Sequence, residues 1–264
     1  MTELGRPTTA HPLAADAPGL SIDWAGVTDV GLRRAHNEDS YVAEAPVFVV
    51  ADGMGGHSAG DVASDAVVRR IAEAAVRDSL STDELEEALR RATADIAVAA
   101  AETELGVGTT ATGVFLSGED GEAEFTVFNV GDSRVYLVAD GALQQITVDH
   151  SVVQEMVDAG LLRAEDAESH PDSNVITRAV GFDVDQRPDY WRIPARAGLR
   201  LLVCSDGLTK ELSGPDIERV LAEQTESHAA ASALVRAAVE AGGRDNVTAV
   251  VVDVRGTATE LPEA

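Results

Sequence analysis

The sequence predicts an α+β fold in which antiparallel sheets are faced by helices. The predicted elements run as strands, two long helices, a meander of strands, a helix, more strands, two helices and a last strand. This order lacks the regular strand–helix alternation that is typical of a parallel sheet. Hydrophobic residues make up 45% and charged residues 25% of the 264-residue chain, which is close to the globular average. A chain of this composition and length can bury a sizeable core.

Seven segments are predicted to be strands, because each is a short run rich in β-branched, aromatic or other apolar residues. Segments 47–51, 201–204 and 247–252 are almost wholly apolar, which is typical of strands covered on both faces. Segments 109–116, 123–130, 134–139 and 142–147 are partly polar and have turn signals between them. Asp120-Gly121 and Asp140-Gly141 stand where hairpin turns are needed.

Five helices fill the intervals, at residues 61–77, 82–104, 151–159, 215–223 and 227–241. The first has apolar residues at helical spacing along one side, namely Val62, Ala66, Val67, Ile71, Ala74 and Ala75. The second begins with a capping box formed by Ser81 or Thr82 with the acidic residues that follow. Pro215 suits a first helical turn, and Gly242-Gly243 suits a helix end.

The chain is predicted to hold one domain. Residues 1–20 are rich in Pro, Thr and Ala without periodicity, and we expect a flexible leader there. Residues 21–255 form the domain, and residues 256–264 a short tail. The leader lacks the apolar region of a signal peptide, and no segment has the ~20 apolar residues needed to span a bilayer.

The formal charge of 20 − 46 = −26 argues against nucleic acid or an anionic membrane surface as a partner. An anionic substrate would therefore need a cation that reverses the local field.

The single cysteine, Cys204, excludes a disulfide framework or a cysteine zinc cluster and indicates a reducing compartment. We expect a cytoplasmic monomer.

Acidic residues follow or precede the most apolar predicted strands. Asp52-Gly53 and Asp206-Gly207 come directly after such strands, whereas Asp245 precedes one. A carboxylate at such a place has lost much of its water and needs a cation or several donors to stay charged. Neighbouring strands would bring Asp39, Asp52, Asp206 and Asp245 to one rim. The alternative is that these residues are separate caps and turns.

Four converging carboxylates repel one another unless metal ions neutralise them. Oxygen ligands without cysteine favour Mg²⁺ or Mn²⁺ over zinc. The glycine-rich segment after Asp52, residues 53–56, permits close approach of backbone to a ligand and is followed by His57. It is not a nucleotide-binding loop of the Gly-Lys-Ser/Thr type, because no such residues follow.

Eight blocks in one order carry a resemblance to a known family. They are residues 31–40, 50–57, 108–110, 129–134, 149–151, 176–181, 204–209 and 245–248, spread over residues 22–254. In these blocks the chain resembles the metal-dependent protein serine/threonine phosphatases of type 2C, in their compact bacterial form. The resemblance implies a four-layer α-β-β-α sandwich of two antiparallel sheets between helix pairs, with the metal centre at one end.

The resemblance also implies a ligand set for two Mn²⁺ or Mg²⁺ ions, and possible binding of a weaker third. Asp52 would bridge both ions, Asp206 and Asp245 would hold one, and the Gly53 carbonyl would touch the other. Asp39 and Glu38 would act nearby, largely through metal-bound water. Asp132, with Asp206, resembles the pair that holds the third ion.

By the same resemblance, Arg34 binds the phosphoryl group and His57 protonates the leaving alkoxide. The implied reaction is hydrolysis of phosphoserine and phosphothreonine in proteins by a water that two metal ions activate. The implied partners are phosphorylated proteins and a Ser/Thr kinase. The resemblance implies that residues 160–174 form a mobile flap that touches substrate, and this flap is acidic. Within it, Asp172 and Ser173 stand where relatives often carry basic residues.

Three other classes of protein fit the sequence less well. A cysteine phosphatase needs Cys-x5-Arg, but Lys210 stands six residues after Cys204. A haloacid-dehalogenase phosphatase needs an aspartate motif after a buried strand, which residues 183–187 lack. A non-catalytic module of the same fold would be favoured by missing ligands, and none is missing.

Overall fold

The computed structural model describes residues 1–13, 19–55, 59–75, 79–100, 106–117, 123–182 and 187–256. Two sheets pack against each other, and helices cover the outer face of each. The first sheet has the order β1-β4-β5-β7-β8-β11, with the short β6 paired to β5. Its strands are β1 Glu3–Gly5, β4 Asp39–Glu44, β5 Val47–Met54, β6 Gly108–Thr109, β7 Ala111–Ser117, β8 Glu124–Val130 and β11 Asp189–Pro194.

The second sheet has the order β10-β9-β12-β13-β3-β2, and all its neighbours are antiparallel. Its strands are β2 Thr8–Pro12, β3 Leu20–Asp29, β9 Arg134–Ala139, β10 Ala142–Gln145, β12 Arg200–Cys204 and β13 Val247–Gly256. The helices are α1 Ala59–Ala74, α2 Thr82–Ala100, α3 Val152–Asp158, α4 Asp206–Thr209, α5 Gly214–Glu223 and α6 Ser227–Ala241, with a 3₁₀ helix at Ala164–Ser169.

Alternation along the strands divides the core into three layers. In β5, Val47 and Val49 pack with α1 and α2, whereas Phe48 and Val50 face the second sheet. Leu202 of β12 packs with α5 and α6 on the far side. The order is therefore helices, sheet, sheet, helices, which confirms the predicted four-layer α+β sandwich.

All seven predicted strands are present, with one break. Thr110 separates β6 from β7, where a single strand over 109–116 was expected. Asp140 and Gly141 form the predicted turn with positive φ angles of 53° and 81°. The pair Asp120-Gly121 lies outside the described residues.

The predicted helices are present with shifted ends. Helix α1 begins at Ala59, and its buried side carries Ala63, Val67 and Ile71, whereas Val62 is 44% exposed. Ser81 caps α2 as predicted, because its hydroxyl accepts a hydrogen bond from the Glu84 amide and the Glu84 carboxylate accepts one from the Ser81 amide. No helix in the described part of the chain is both long and apolar enough to cross a membrane.

Residues 1–13 differ from the flexible leader that the sequence predicted. β1 pairs in parallel with β4 at one edge of the first sheet, and β2 pairs with β3 at one edge of the second. Edge pairing satisfies backbone groups without an apolar pattern, so the segment gives no periodic signal. Strand β13 reaches Gly256, and the predicted tail beyond it lies outside the described residues.

Candidate active site

A cleft of about 680 Å³ gathers most of the predicted site residues. Loops at the ends of β5, β8, β12 and the start of β13 contribute to its walls. Asp39 is fully buried and does not line the cleft, and His57 lies outside the described residues. The predicted residues that line the cleft are Arg34, Glu38, Asp52, Gly53, Asp132, Asp206 and Asp245.

Strand pairing brings Asp39 and Asp52 together. In the antiparallel register of β4 and β5, these two residues are directly opposite each other. Their side chains therefore project to the same face, since directly paired residues share a face of the sheet. Both belong to the first sheet.

Asp39 connects the two sheets. Its Oδ2 accepts hydrogen bonds from the hydroxyl of Ser205 at 2.9 Å and the hydroxyl of Thr248 at 2.6 Å. Ser205 directly follows β12, and Thr248 belongs to β13, so both donors come from the second sheet. The other oxygen, Oδ1, is buried and finds no hydrogen-bond partner in the part of the chain that the structure describes.

Two threonines hold the backbone of Asp52. The Asp52 amide donates to the Thr110 hydroxyl at 2.9 Å, and the Asp52 carbonyl accepts from the Thr110 amide and the Thr109 hydroxyl, each at 2.9 Å. These bonds explain the Gly-Thr-Thr block at residues 108–110, to which the sequence argument gave no role. The Thr110 hydroxyl also bonds that of Ser133, beside Asp132, at 2.9 Å.

Two glycines allow the loops to approach closely. A Cβ at Gly207 would overlap with the carbonyl oxygen of Asn246, and a Cβ at Gly53 would overlap with that of Gly60. The first contact packs the start of α4, with Asp206, against the segment that carries Asp245. The Asp-Gly pairs after the buried strands are therefore close-approach sites and not ordinary turns.

Asn246 fixes the arginine-bearing loop in place. Its side-chain amide donates to the carbonyls of Val30 and His36, each at 3.0 Å, and its Oδ1 accepts from the Glu38 amide at 2.9 Å. Arg34 in this loop donates to Asp245 Oδ2 at 2.9 Å, with 49% of its side chain exposed. The guanidinium thus lies at the mouth of the cleft.

Asp132 lies on a loop whose backbone is hydrogen-bonded to His150 at Gly131. The ring Nδ1 of His150 accepts a hydrogen bond from the Gly131 amide at 3.1 Å, and the His150 amide donates to the Gly131 carbonyl at 2.9 Å. The opposite ring nitrogen, Nε2, is 3.1 Å from Asp189. Burial lowers the pKa of His150, which favours the neutral ring that this arrangement needs.

Lys210 forms an ion pair with Asp206 inside the same cleft. It follows α4 directly, and its amide donates to the Asp206 carbonyl at 2.8 Å. In the sequence, Lys210 serves only to exclude a cysteine phosphatase and has no predicted role in the site. The composition could have drawn attention to Lys210, because it is the only lysine of the chain.

The cleft raises the pKa of several carboxyl groups. Burial is the main cause, and it raises the pKa of Asp39 and of Asp132 to about 7 in each case. Burial and the neighbouring carboxylates raise the pKa of Asp52 well above its ordinary value. Burial also raises that of Glu38, although Arg34 opposes the shift. Such mutual repulsion in a buried place favours binding of a cation.

The donor set suits a hard divalent cation. Asp39 Oδ1 and Asp206 Oδ1 are buried without a hydrogen-bond partner among the described residues, and oxygen ligands are those that Mg²⁺ and Mn²⁺ prefer. Within the described ranges, no three His, Cys, Asp or Glu side chains already enclose an ion by themselves. Arg34 and Lys210 engage two of the candidate ligands, so a cation would have to displace these contacts.

The acidic flap, with its 3₁₀ helix, borders the cleft beside α3. Ser151 caps α3, with its hydroxyl accepting from the Gln154 amide at 3.2 Å. Arg134 links the cleft wall to the flap, because it bonds Asp149 at 2.7 Å and reaches Glu168 at 3.3 Å. Ala167, Glu168, Ser173, Asn174 and Ile176 line the cleft from this side.

Comparison with known proteins gives the same family as the resemblance. Residues 33–241 match the profile of the family described as Protein phosphatase 2C. The chain is similar to the serine/threonine protein phosphatase PstP of Mycobacterium tuberculosis strain H37Rv, with 40% identity over 249 residues that cover 89% of this chain and 45% of PstP. It thus spans about half the length of that relative.

Two further comparisons cover nearly the whole of the other protein. The serine/threonine phosphatase stp of Listeria monocytogenes EGD-e is 36% identical over 239 residues, which cover 86% of this chain and 93% of stp. A crystal structure of the PstP catalytic domain in complex with two manganese ions superposes with a TM-score of 0.80 at 38% identity, covering 89% of this chain and 99% of that one.

Proposed function

The chain belongs to the protein phosphatase 2C family, and we propose that it hydrolyses phosphoserine and phosphothreonine in proteins with two Mn²⁺ or Mg²⁺ ions. One observation carries this proposal. Asp52, in β5 of the first sheet, lines one cleft together with Asp206 and Asp245, which lie just after β12 and just before β13 of the second sheet.

The carboxylates of the cleft would hold the ions. Asp52 would be the shared ligand, Asp206 and Asp245 would serve one ion, and the Gly53 carbonyl would serve the other. Glu38 lines the cleft and Asp39 is buried beside Asp52, and both would act largely through metal-bound water. Bound divalent ions supply a water of lowered pKa and neutralise charge on the phosphoryl oxygens.

Arg34 is proposed to bind the phosphoryl group. Its guanidinium can donate two parallel hydrogen bonds to two phosphoryl oxygens. The side chain is half exposed at the cleft mouth and already within 2.9 Å of Asp245, so it can turn toward a substrate without crossing the core. Binding exchanges the Asp245 carboxylate for the phosphate as its partner.

His57 is proposed to donate a proton to the departing Ser or Thr oxygen. An alkoxide is a poor leaving group, so a positioned acid contributes about 10²–10⁴-fold to the rate. His57 follows the glycine-rich segment after Asp52 in the sequence. Its placement lies outside the described residues, so this role rests on the family resemblance.

Manganese-dependent hydrolysis of a phosphothreonine peptide tests the proposal. We expect turnover with Mn²⁺, loss of turnover on chelation, and loss of both metal binding and turnover in Asp52→Asn. Asp95→Asn is the matched control, because Asp95 pairs with Arg70 between helices and does not line the cleft. Full turnover by Asp52→Asn would refute the shared-ligand role.

The proposed substrates are phosphorylated proteins, and a Ser/Thr kinase is the proposed counterpart that supplies them. We propose a cytoplasmic location for this reaction, since the single cysteine is a free, buried thiol. A monomeric state is also proposed. Cell fractionation, phosphoproteomics of cells lacking the gene, and light scattering of the purified protein test these three points.

A further inference from the structure

We propose that Lys210 is an internal counter-cation of the carboxylate cluster and competes with a divalent ion for Asp206 and Asp132. In this role Lys210 sets how many ions the chain holds and how tightly it holds the weakest one. The inference rests on the proposed metal-dependent function and concerns a residue to which the family resemblance gave no role.

The composition of the chain makes this lysine exceptional. The sequence has 19 arginines and one lysine, and that lysine lies in the cleft and not on the outer surface. A lysine ammonium is a compact point charge that resembles a metal cation more than the planar guanidinium does. The one ammonium side chain of this protein therefore stands where the proposed metal ligands converge.

An ion pair joins Lys210 to the carboxylate cluster. Its ammonium pairs with Asp206 Oδ2, and the carboxylates of Asp132 and Asp52 also attract it. Asp206 has 13% of its side chain exposed and Lys210 has 30%, so the pair is shielded far better than an ordinary surface ion pair.

The second cation of the cleft occupies a different position. Arg34 pairs with Asp245 and is half exposed at the mouth. Lys210 is paired with the residue that, with Asp132, was predicted to hold a third ion. Two positive charges cannot share that pair of carboxylates without repulsion, so an ion that binds there must displace the ammonium.

Calorimetric titration with Mn²⁺ tests the competition. Lys210→Met keeps the length of the side chain and removes the charge. We expect the weakest Mn²⁺ site of this variant to bind about tenfold more tightly than that of the wild type. This change is at the low end of the coupling energies measured between close charge pairs. Lys210→Arg retains the charge and should stay within about twofold of the wild type, by the same reasoning.

Arg163→Met is the matched control for the loss of one positive charge. Arg163 lies on the flap and pairs with Glu165 and Asp166, outside the carboxylate cluster. We expect unchanged Mn²⁺ affinity and stoichiometry. Equal tightening in Arg163→Met and Lys210→Met would overturn the proposal, because the effect would then come from net charge alone.

Chemical labelling of the wild-type protein gives an independent readout. An amine-selective acylating reagent can modify only Lys210 and the N-terminal amine, and mass spectrometry separates the two. Saturating Mn²⁺ should speed acylation of Lys210 relative to the N-terminus, because the ion frees the ammonium from Asp206. An unchanged or slower relative rate would overturn the displacement.

The outcomes separate the two proposals. Absence of Mn²⁺ binding by wild type and all variants would refute the metal centre itself, and the role of Lys210 with it. Normal binding that is identical in wild type and Lys210→Met would refute only the counter-cation.

Discussion

Replacing Asp39 by asparagine is expected to stabilise the metal-free protein at pH 8 while weakening its response to metal. Burial raises the pKa of Asp39 from 3.8 to about 7. Between these values the folded protein binds the proton more tightly than the unfolded chain does, so the free energy of unfolding falls as pH rises from about 4 to 7. At about 1.4 kcal/mol per pH unit, the raised pKa of Asp39 lowers the free energy of unfolding by ~4 kcal/mol at pH 8, where the buried carboxylate is ionised, and by ~2 kcal/mol at pH 5, where the folded protein holds the proton that the unfolded chain releases.

The asparagine removes this cost and adds a smaller one. Its carbonyl can still accept from Ser205 and Thr248, but its NH₂ group replaces Oδ1, for which the described residues offer no partner. A buried donor without a partner costs ~1–3 kcal/mol. The net gain in the free energy of unfolding is therefore ~2 kcal/mol at pH 8 and ~0 at pH 5, from the same two contributions.

Urea unfolding in EDTA at pH 5 and pH 8, followed by circular dichroism, measures both values. Added Mn²⁺ should stabilise the wild type more than the variant. The control Asp95→Asn loses an ion pair between helices and should lower stability by no more than ~1 kcal/mol. A loss of stability in Asp39→Asn that is the same at both pH values would refute the account of Asp39 as a destabilising buried charge.

Three further substitutions have simple readouts. Arg34→Ala should raise KM for a phosphopeptide with little change in kcat. Arg33 is exposed next to it, and the control Arg33→Ala should change neither constant. An unchanged KM in Arg34→Ala would show that another residue binds the phosphate. His57→Ala should lower kcat about 10²-fold or more for phosphothreonine and less for p-nitrophenyl phosphate, and equal losses would count against the acid role. Ser81→Ala should lower the free energy of unfolding by about 1 kcal/mol through loss of the α2 cap, with activity per folded molecule unchanged.

The apolar strands were predictable from the sequence because their pattern follows directly from burial. Segments 47–51, 201–204 and 247–252 are covered on both faces, and all are strands. The metal-site hypothesis followed from the acidic residues at their ends, and the strands do bring Asp52, Asp206 and Asp245 to one cleft.

Strands with buried polar residues were missed. β3 contains Asp23, which is 8% exposed and accepts hydrogen bonds from the Ala10 amide and the Arg255 side chain. This buried carboxylate interrupts the apolar pattern, and its partners are far away in the chain. β11 ends at Pro194 on a sheet edge, where a proline is tolerated but a strand is hard to recognise.

The supporting contacts of the site could not be read from local pattern. Thr109 and Thr110 hold Asp52 from about 57 residues away, and Thr248 reaches Asp39 across 209 residues. Such pairings depend on which strands become neighbours. The sequence shows that Lys210 is the single lysine of the chain. Its ion pair with Asp206, which suggests a role for it, is found only in the folded structure.

Anomalous diffraction from crystals soaked in Mn²⁺ tests the central claim most directly. The account predicts two manganese peaks about 3.5–4 Å apart, both within coordination distance of Asp52 and one also reached by Asp206 and Asp245. Manganese peaks elsewhere on the acidic surface, with none beside Asp52, would contradict it.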